Sequence, residues 1–235
     1  MSNDKTCPLP DLDNEEPWER NLSLFITFII LIAGIYNIIT AKEIFFGILS
    51  LIALAILWLP GYFTGRRLCA FPAEIQIILL FVVFFELVLG DMLSFYSYVP
   101  LYDKFMHAML PSILGMIGMM IIYTAYAMGY LKTSLPLMFL LIIFVVMGCG
   151  AMLEMSEFFY DQYLYPIMGG HLPTGLTQGS MFESPLVDTM HDLYLDAFGA
   201  IFGAGIGVWF IRRSKKSGKN HLINELRRIV RRNNK

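Results

Sequence analysis

The sequence predicts an all-α fold: a polytopic membrane helix bundle of about six transmembrane helices, with both termini cytoplasmic. Three observations lead there. Of 235 residues, 57% are hydrophobic and 15% charged, with a mean hydropathy of +0.61. Soluble domains carry about 25% charged residues. Apolar runs recur along the chain at or near the ~18 residues that mark a membrane-spanning helix. The basic residues are segregated: ten of the seventeen Lys and Arg lie from Arg212 onward.

Residues 1–21 form an acidic, proline-containing cytoplasmic tail without the basic start of a secretory signal. Residues 22–211 form a six-span transmembrane domain. The first span covers about 22–40 and the second about 44–63, with Pro60-Gly61 breaking its end. Pro72 opens the third, which runs to about residue 89 and is followed by an aromatic loop suited to the interface. The fourth covers about 102–128, the fifth about 135–159 and the sixth about 188–211. A long polar outer loop lies at about 160–187, and residues 212–235 are a basic cytoplasmic tail. Arg66, Arg67 and Lys132 fall in links that an even span count puts on the side of that tail, whereas only Lys42 and Lys104 fall opposite. The positive-inside rule makes the basic side cytoplasmic. The expected location is the plasma (inner) membrane. The three cysteines are isolated, without metal or redox spacing.

This topology collects ionisable residues at one depth. Asp103 and His107 open the fourth span at its outer end, one turn apart on one face. Glu154 and Glu157, at i and i+3, close the fifth at the same end. Asp188, His191, Asp192 and Asp196 open the sixth, the three aspartates spaced i, i+4, i+8 along one face. Glu86 and Asp91 lie towards the outer end of the third span. So many acids in a low-dielectric space need a cation or protons beside them. Helix-paired carboxylates with histidine are how bundles hold divalent metals. The N-terminal dipoles of spans four and six favour acids, but Glu154 and Glu157 sit against the dipole of span five, so capping does not account for them. Helix capping alone would account for Asp103 and Asp188. Gly199 and Gly203 form a small-xxx-small pair for helix packing. The long loop has the length of a lid or binding loop, with His171 within it.

The set D-K-x-x-H at Asp103–His107, E-x-x-E at Glu154–Glu157, Gln178-Gly179, and D-T-x-x-D-x-x-x-D at Asp188–Asp196 before a Gly/Ala-rich span resembles the bacterial YjdF-like inner-membrane family. A looser similarity, to VanZ-like membrane proteins, rests on the D-K-x-x-H opening of one span and a later acidic, Gly-rich one. The resemblance covers roughly residues 20–212 and implies an architecture more than an activity.

Three functions fit these residues. One is a metal-dependent enzyme acting on a lipid or lipid-linked substrate at the outer leaflet. Its divalent metal, of open identity, would be held by Glu154, Glu157, Asp188, His191, Asp192 and Asp196, with His107 as general acid or base oriented by Asp103. The second is a structural protein whose site ties helices together through an ion or hydrogen bonds. The third is a cation or proton transporter, disfavoured by the absence of inverted repeats and by a cluster lying away from the midplane. Membrane lipids are the expected partners, and nucleic acid is not.

Overall fold

The computed structural model describes residues 17–63, 73–127, 129–168, 176–179 and 183–217. Residues 1–16 and 218–235 of the two tails, the Arg66-Arg67 link and His171 lie outside the described residues, whereas residues 17–21 already belong to the first helix and 212–217 to the last. Among the described residues every regular element is a helix. They divide into two compact units, Met1–Met92 and Leu93–Lys235.

The first unit contains α1 (Pro17–Ile39), α2 (Ile44–Phe63) and α3 (Ala73–Val83), the last continuing as a π-helix over Phe84–Met92. Proline at the first position of α1 costs no backbone hydrogen bond there. Helix α2 runs through Pro60-Gly61 to Phe63 and does not break at that pair. Ile26, Ile30, Leu54, Leu57, Leu80 and Val88 form the core of this unit. Small residues set the α1–α2 distance. A Cβ at Gly34 would collide with Ser50 Oγ, and one at Gly47 would lie 2.9 Å from the Gly34 carbonyl. The buried polar side chains bond back to their own helices: Ser23 to Glu19 O at 2.7 Å, Asn37 to Ala33 O at 2.9 Å, Ser50 to Gly47 O at 2.8 Å. Such local pairing satisfies hydroxyls and amides where no water is present. Glu86 and Asp91 belong to this unit, both on the π-helical segment.

The second unit contains the short α4 (Phe95–Tyr98), α5 (Tyr102–Ala127), α6 (Leu135–Phe159) and α8 (Pro185–Ser217). The segment after α6 is not all loop: it continues as a π-helix over Tyr160–Leu164 and as α7 (Tyr165–Met168). Met119, Tyr123, Met138, Ile142, Val146, Ala200, Ala204 and Ile211 form the core. The closest packing joins α5 to α8, through small residues on both sides. A Cβ at Gly199 would lie 2.7 Å from the Ala108 carbonyl, and one at Gly203 would run into the Ser112 backbone. From the other side, a Cβ at Gly115 would lie 2.8 Å from the Ala200 carbonyl. Without side chains at these points the two backbones touch, as in close transmembrane pairs. The seam begins at Ala108 on α5, one turn past Lys104 and next to His107, and at Gly199 on α8, one turn past Asp196, so it fixes the spacing of those side chains.

The outward faces carry large apolar groups, among them Phe25, Phe28, Ile56, Phe144 and Phe198, each more than half exposed. Five helices are long and apolar enough to cross a membrane, and the apolar stretch Ile44–Leu59 of α2 is shorter. An exterior richer in large apolar side chains than the seams inside it is the arrangement a bilayer selects.

Candidate functional site

The buried acidic residues of the second unit and His107 meet at one end of it, where α5 and α8 begin and α6 stops. Leu101, at φ 62°, turns the chain into α5 through the left-handed region, which is unusual for a bulky residue. The first turns of α5 then present Asp103, Lys104 and His107. His107, Glu154, Glu157, Asp188, Asp192 and Asp196 are all at most 6% exposed. Polar groups buried so deeply need partners, and the partners divide the cluster in two.

The first half is organised by Lys104. Its ammonium lies 2.6 Å from Asp188 Oδ1, 2.8 Å from both oxygens of Asp192 and 3.1 Å from Asp103 Oδ2. Glu183 Oε2 is 3.5 Å away. The shortest of these are charge-assisted hydrogen bonds. The second oxygen of Asp188 accepts the Gly179 N–H at 2.7 Å. Asp188 therefore serves Lys104 and the loop. Gly179 is at φ +80°, a conformation that suits glycine and aims its N–H at the carboxylate. Its neighbour Gln178 donates through Nε2 to Thr189 Oγ1 at 2.9 Å and to the Glu154 carbonyl at 3.4 Å, joining the end of α6 to the start of α8. His191 stands at the rim, its side chain half exposed, with Nδ1 3.1 Å from Glu183 Oε1.

The second half is organised by His107. Its Nδ1 is 3.1 Å from Asp196 Oδ1. An ionised carboxylate can only accept, so Nδ1 is the donor to Asp196 and Nε2 is the ring nitrogen left for other partners. Nε2 faces Asp103 Oδ1 at 3.7 Å and Glu154 Oε1 at 3.8 Å. Both separations are too long for hydrogen bonds. Among the described residues, Glu154 Oε1 is buried without a hydrogen-bond partner, and so is Asp196 Oδ2. Asp196 reaches its position only because α6 has glycine opposite: a Cβ at Gly150 would overlap Asp196 Oδ2. Ligand atoms of His107, Glu154 and Glu157 lie within 4.8 Å of one another, as do those of Asp103, His107 and Asp192. These spans fit a cation bound by oxygen and imidazole nitrogen after small side-chain adjustments.

Asp103, His107, Glu154, Glu157, Asp188, Asp192 and Asp196 thus come together. His191 reaches the group through Glu183, and Glu86 and Asp91 lie in the first unit. Two participants were not singled out in the sequence. Lys104 stands there as the lone nearby base, with nothing to show that it would bridge three aspartates. Glu183 looks like an ordinary loop acid; its position shortly before the aspartate ladder was the available signal.

The fold and the site together define an integral membrane protein of several helices with a buried acidic and histidine cluster at one end of a helical unit. The family model described as "Predicted membrane protein (DUF2238)" matches residues 22–213, and the chain belongs to that family. This is the family meant by the YjdF-like resemblance, and the match lends no support to the VanZ-like one. No curated protein and no solved structure matches the chain.

Proposed function

We propose that the protein is a metal-dependent membrane enzyme whose divalent ion is held by His107, Glu154 and Glu157, and that its substrate is a lipid or lipid-linked phosphoester at the outer leaflet. The observation that carries this reading is the buried gap at His107 Nε2. Two carboxylate oxygens flank it beyond hydrogen-bond range, one of them, Glu154 Oε1, without a partner. An imidazole whose other nitrogen is held by a carboxylate is the usual arrangement around a metal-bound histidine. In this reading His107 is a ligand and not the proton carrier. Asp196 orients it, and Asp103, a third exposed, is the carboxylate placed to take a proton from water. A divalent ion there supplies Lewis acidity and activates water. Charge balance supports it: Lys104 answers Asp103, Asp188 and Asp192, while among the described residues His107 is the basic group beside Glu154, Glu157 and Asp196.

The test is metal content by mass spectrometry on detergent-purified protein, for wild type and for Glu154→Ala and His107→Ala variants that keep the wild-type helical content. A stoichiometric metal lost in both variants, with turnover of lipid phosphoesters that depends on it, is the expected result. No metal in wild type purified in the presence of divalent ions would overturn the reading. The contacts of Lys104 with several carboxylates favour a second reading, a polar lock that holds α5 against α8. It predicts loss of folding on removal of Lys104 and indifference to chelators.

A further inference from the structure

The acidic cluster offers two sets of ligand atoms, and one of them is met by a cation from within the chain. Two groups of ligand atoms can each hold a metal: His107, Glu154 and Glu157, and Asp103, His107 and Asp192. They share one imidazole. Because His107 Nδ1 is spent on Asp196, only Nε2 faces the gap, and it can serve one ion at a time. The second group is already occupied by an ammonium. Lys104 Nζ lies 2.8 Å from Asp192 and 3.1 Å from Asp103, and Asp188 completes the cradle at 2.6 Å. An ammonium has three protons to give, and three aspartates receive them. In binuclear phosphoester sites two metals sit about 3.5–4 Å apart and clamp the attacking and leaving oxygens. Here the neighbouring cation is an amine tethered to the same helix turn as His107.

We propose that Lys104 takes the place of the second metal, so that the cluster binds a single divalent ion and the ammonium holds the adjoining aspartates. This rests on the metal reading above and extends it to stoichiometry and to the division of labour. The bound ion supplies Lewis acidity. The ammonium supplies fixed positive charge and N–H donors, but it cannot polarise a water for attack. Lys104 is in this sense a positioning residue. Glu154 Oε1, buried and without a hydrogen-bond partner among the described residues, belongs to the group that Lys104 does not touch, so the open half of the cluster is the half away from the ammonium.

Manganese gives both a count and a signature. Wild type titrated with excess Mn²⁺ is expected to saturate at one ion per chain, with the resolved hyperfine pattern of an isolated ion by electron paramagnetic resonance. Lys104→Ala is expected to bind a second ion, and the pair to show a broadened, exchange-coupled spectrum. Lys104→Arg, which keeps the charge, is expected to stay at one. A second ion in wild type, or a folded Lys104→Ala that still takes only one, would overturn the proposal. Should Lys104→Ala not fold, the wild-type and Lys104→Arg titrations still decide, since either one exceeding a single ion sinks it. Failure of the metal reading looks different. Wild type then binds nothing, and a single ion gained by Lys104→Ala would leave the Lys104 ammonium in place of any metal in the native cluster.

Discussion

At the scale of single residues, the site depends on which atoms are left over once the hydrogen bonds are assigned. Asp196 uses one oxygen to hold His107, and that bond decides which ring nitrogen faces the gap. Asp196→Asn leaves the shape nearly unchanged but can present an N–H to the ring, so the preferred tautomer is lost. We expect Mn²⁺ affinity to fall roughly 10–100-fold, the range for losing such an outer partner, measured by equilibrium dialysis. Gly179 makes a different kind of contribution. Gly179→Ala places a Cβ in the left-handed region at a cost of about 1–2 kcal/mol, and its N–H is the donor to Asp188. Thermal unfolding in detergent should show the lower midpoint, and an unchanged midpoint would mean that the loop does not bear on the stability of the site. The i, i+4 and i, i+3 spacings of the acids on each helix were legible in the sequence, because spacing along one helix is fixed by its geometry. Which oxygen meets which nitrogen was not, because Lys104 and Asp188 are 84 positions apart.

At the scale of elements, the α5–α8 seam positions the chemistry. Gly203 faces the Ser112 backbone, whereas a Cβ at Gly205 on the same helix would meet nothing within 4 Å. The two substitutions to alanine have nearly the same chemistry and should differ sharply in effect. Gly203→Ala must separate the helices and move Asp196 away from His107. It is expected to destabilise by about 1–3 kcal/mol, the usual range for overpacking, and to weaken metal binding. Gly205→Ala is expected to do neither. Chemical denaturation beside a metal titration separates these outcomes, and equal effects would show that the seam is not what sets the site. The small-xxx-small pattern made a packing face legible in the sequence. Its partner was not, since several helices present small residues and periodicity names a face without naming a neighbour. The π-helical stretches were also illegible, because a single added residue per turn leaves no compositional trace in FFELVLGDM.

At the scale of the whole chain, the apolar helices were legible, five of them long enough to cross a membrane, because a bilayer demands continuous apolar surface over a fixed length. The alternation of links fixes a further expectation. Cysteines placed at Lys132 and at Glu183, in a background lacking the native three, should react with an impermeant thiol reagent from opposite faces of the membrane, with Lys132 on the cytoplasmic side. Labelling of both from one face would refute the six-span topology and the outer-leaflet position of the site. The Lys104 contacts also bear on how such a chain is made. An aspartate at the centre of a spanning helix opposes insertion by about 2.5–3.5 kcal/mol, and less towards its end; α8 carries three, Asp188, Asp192 and Asp196, in its first turns. Its counter-charge comes from a helix synthesised well before it. Helix α8 is therefore a poor substrate for insertion alone and a good one once α5 is in place, which makes membrane integration of this unit a sequential process whose last step waits on an amine laid down earlier.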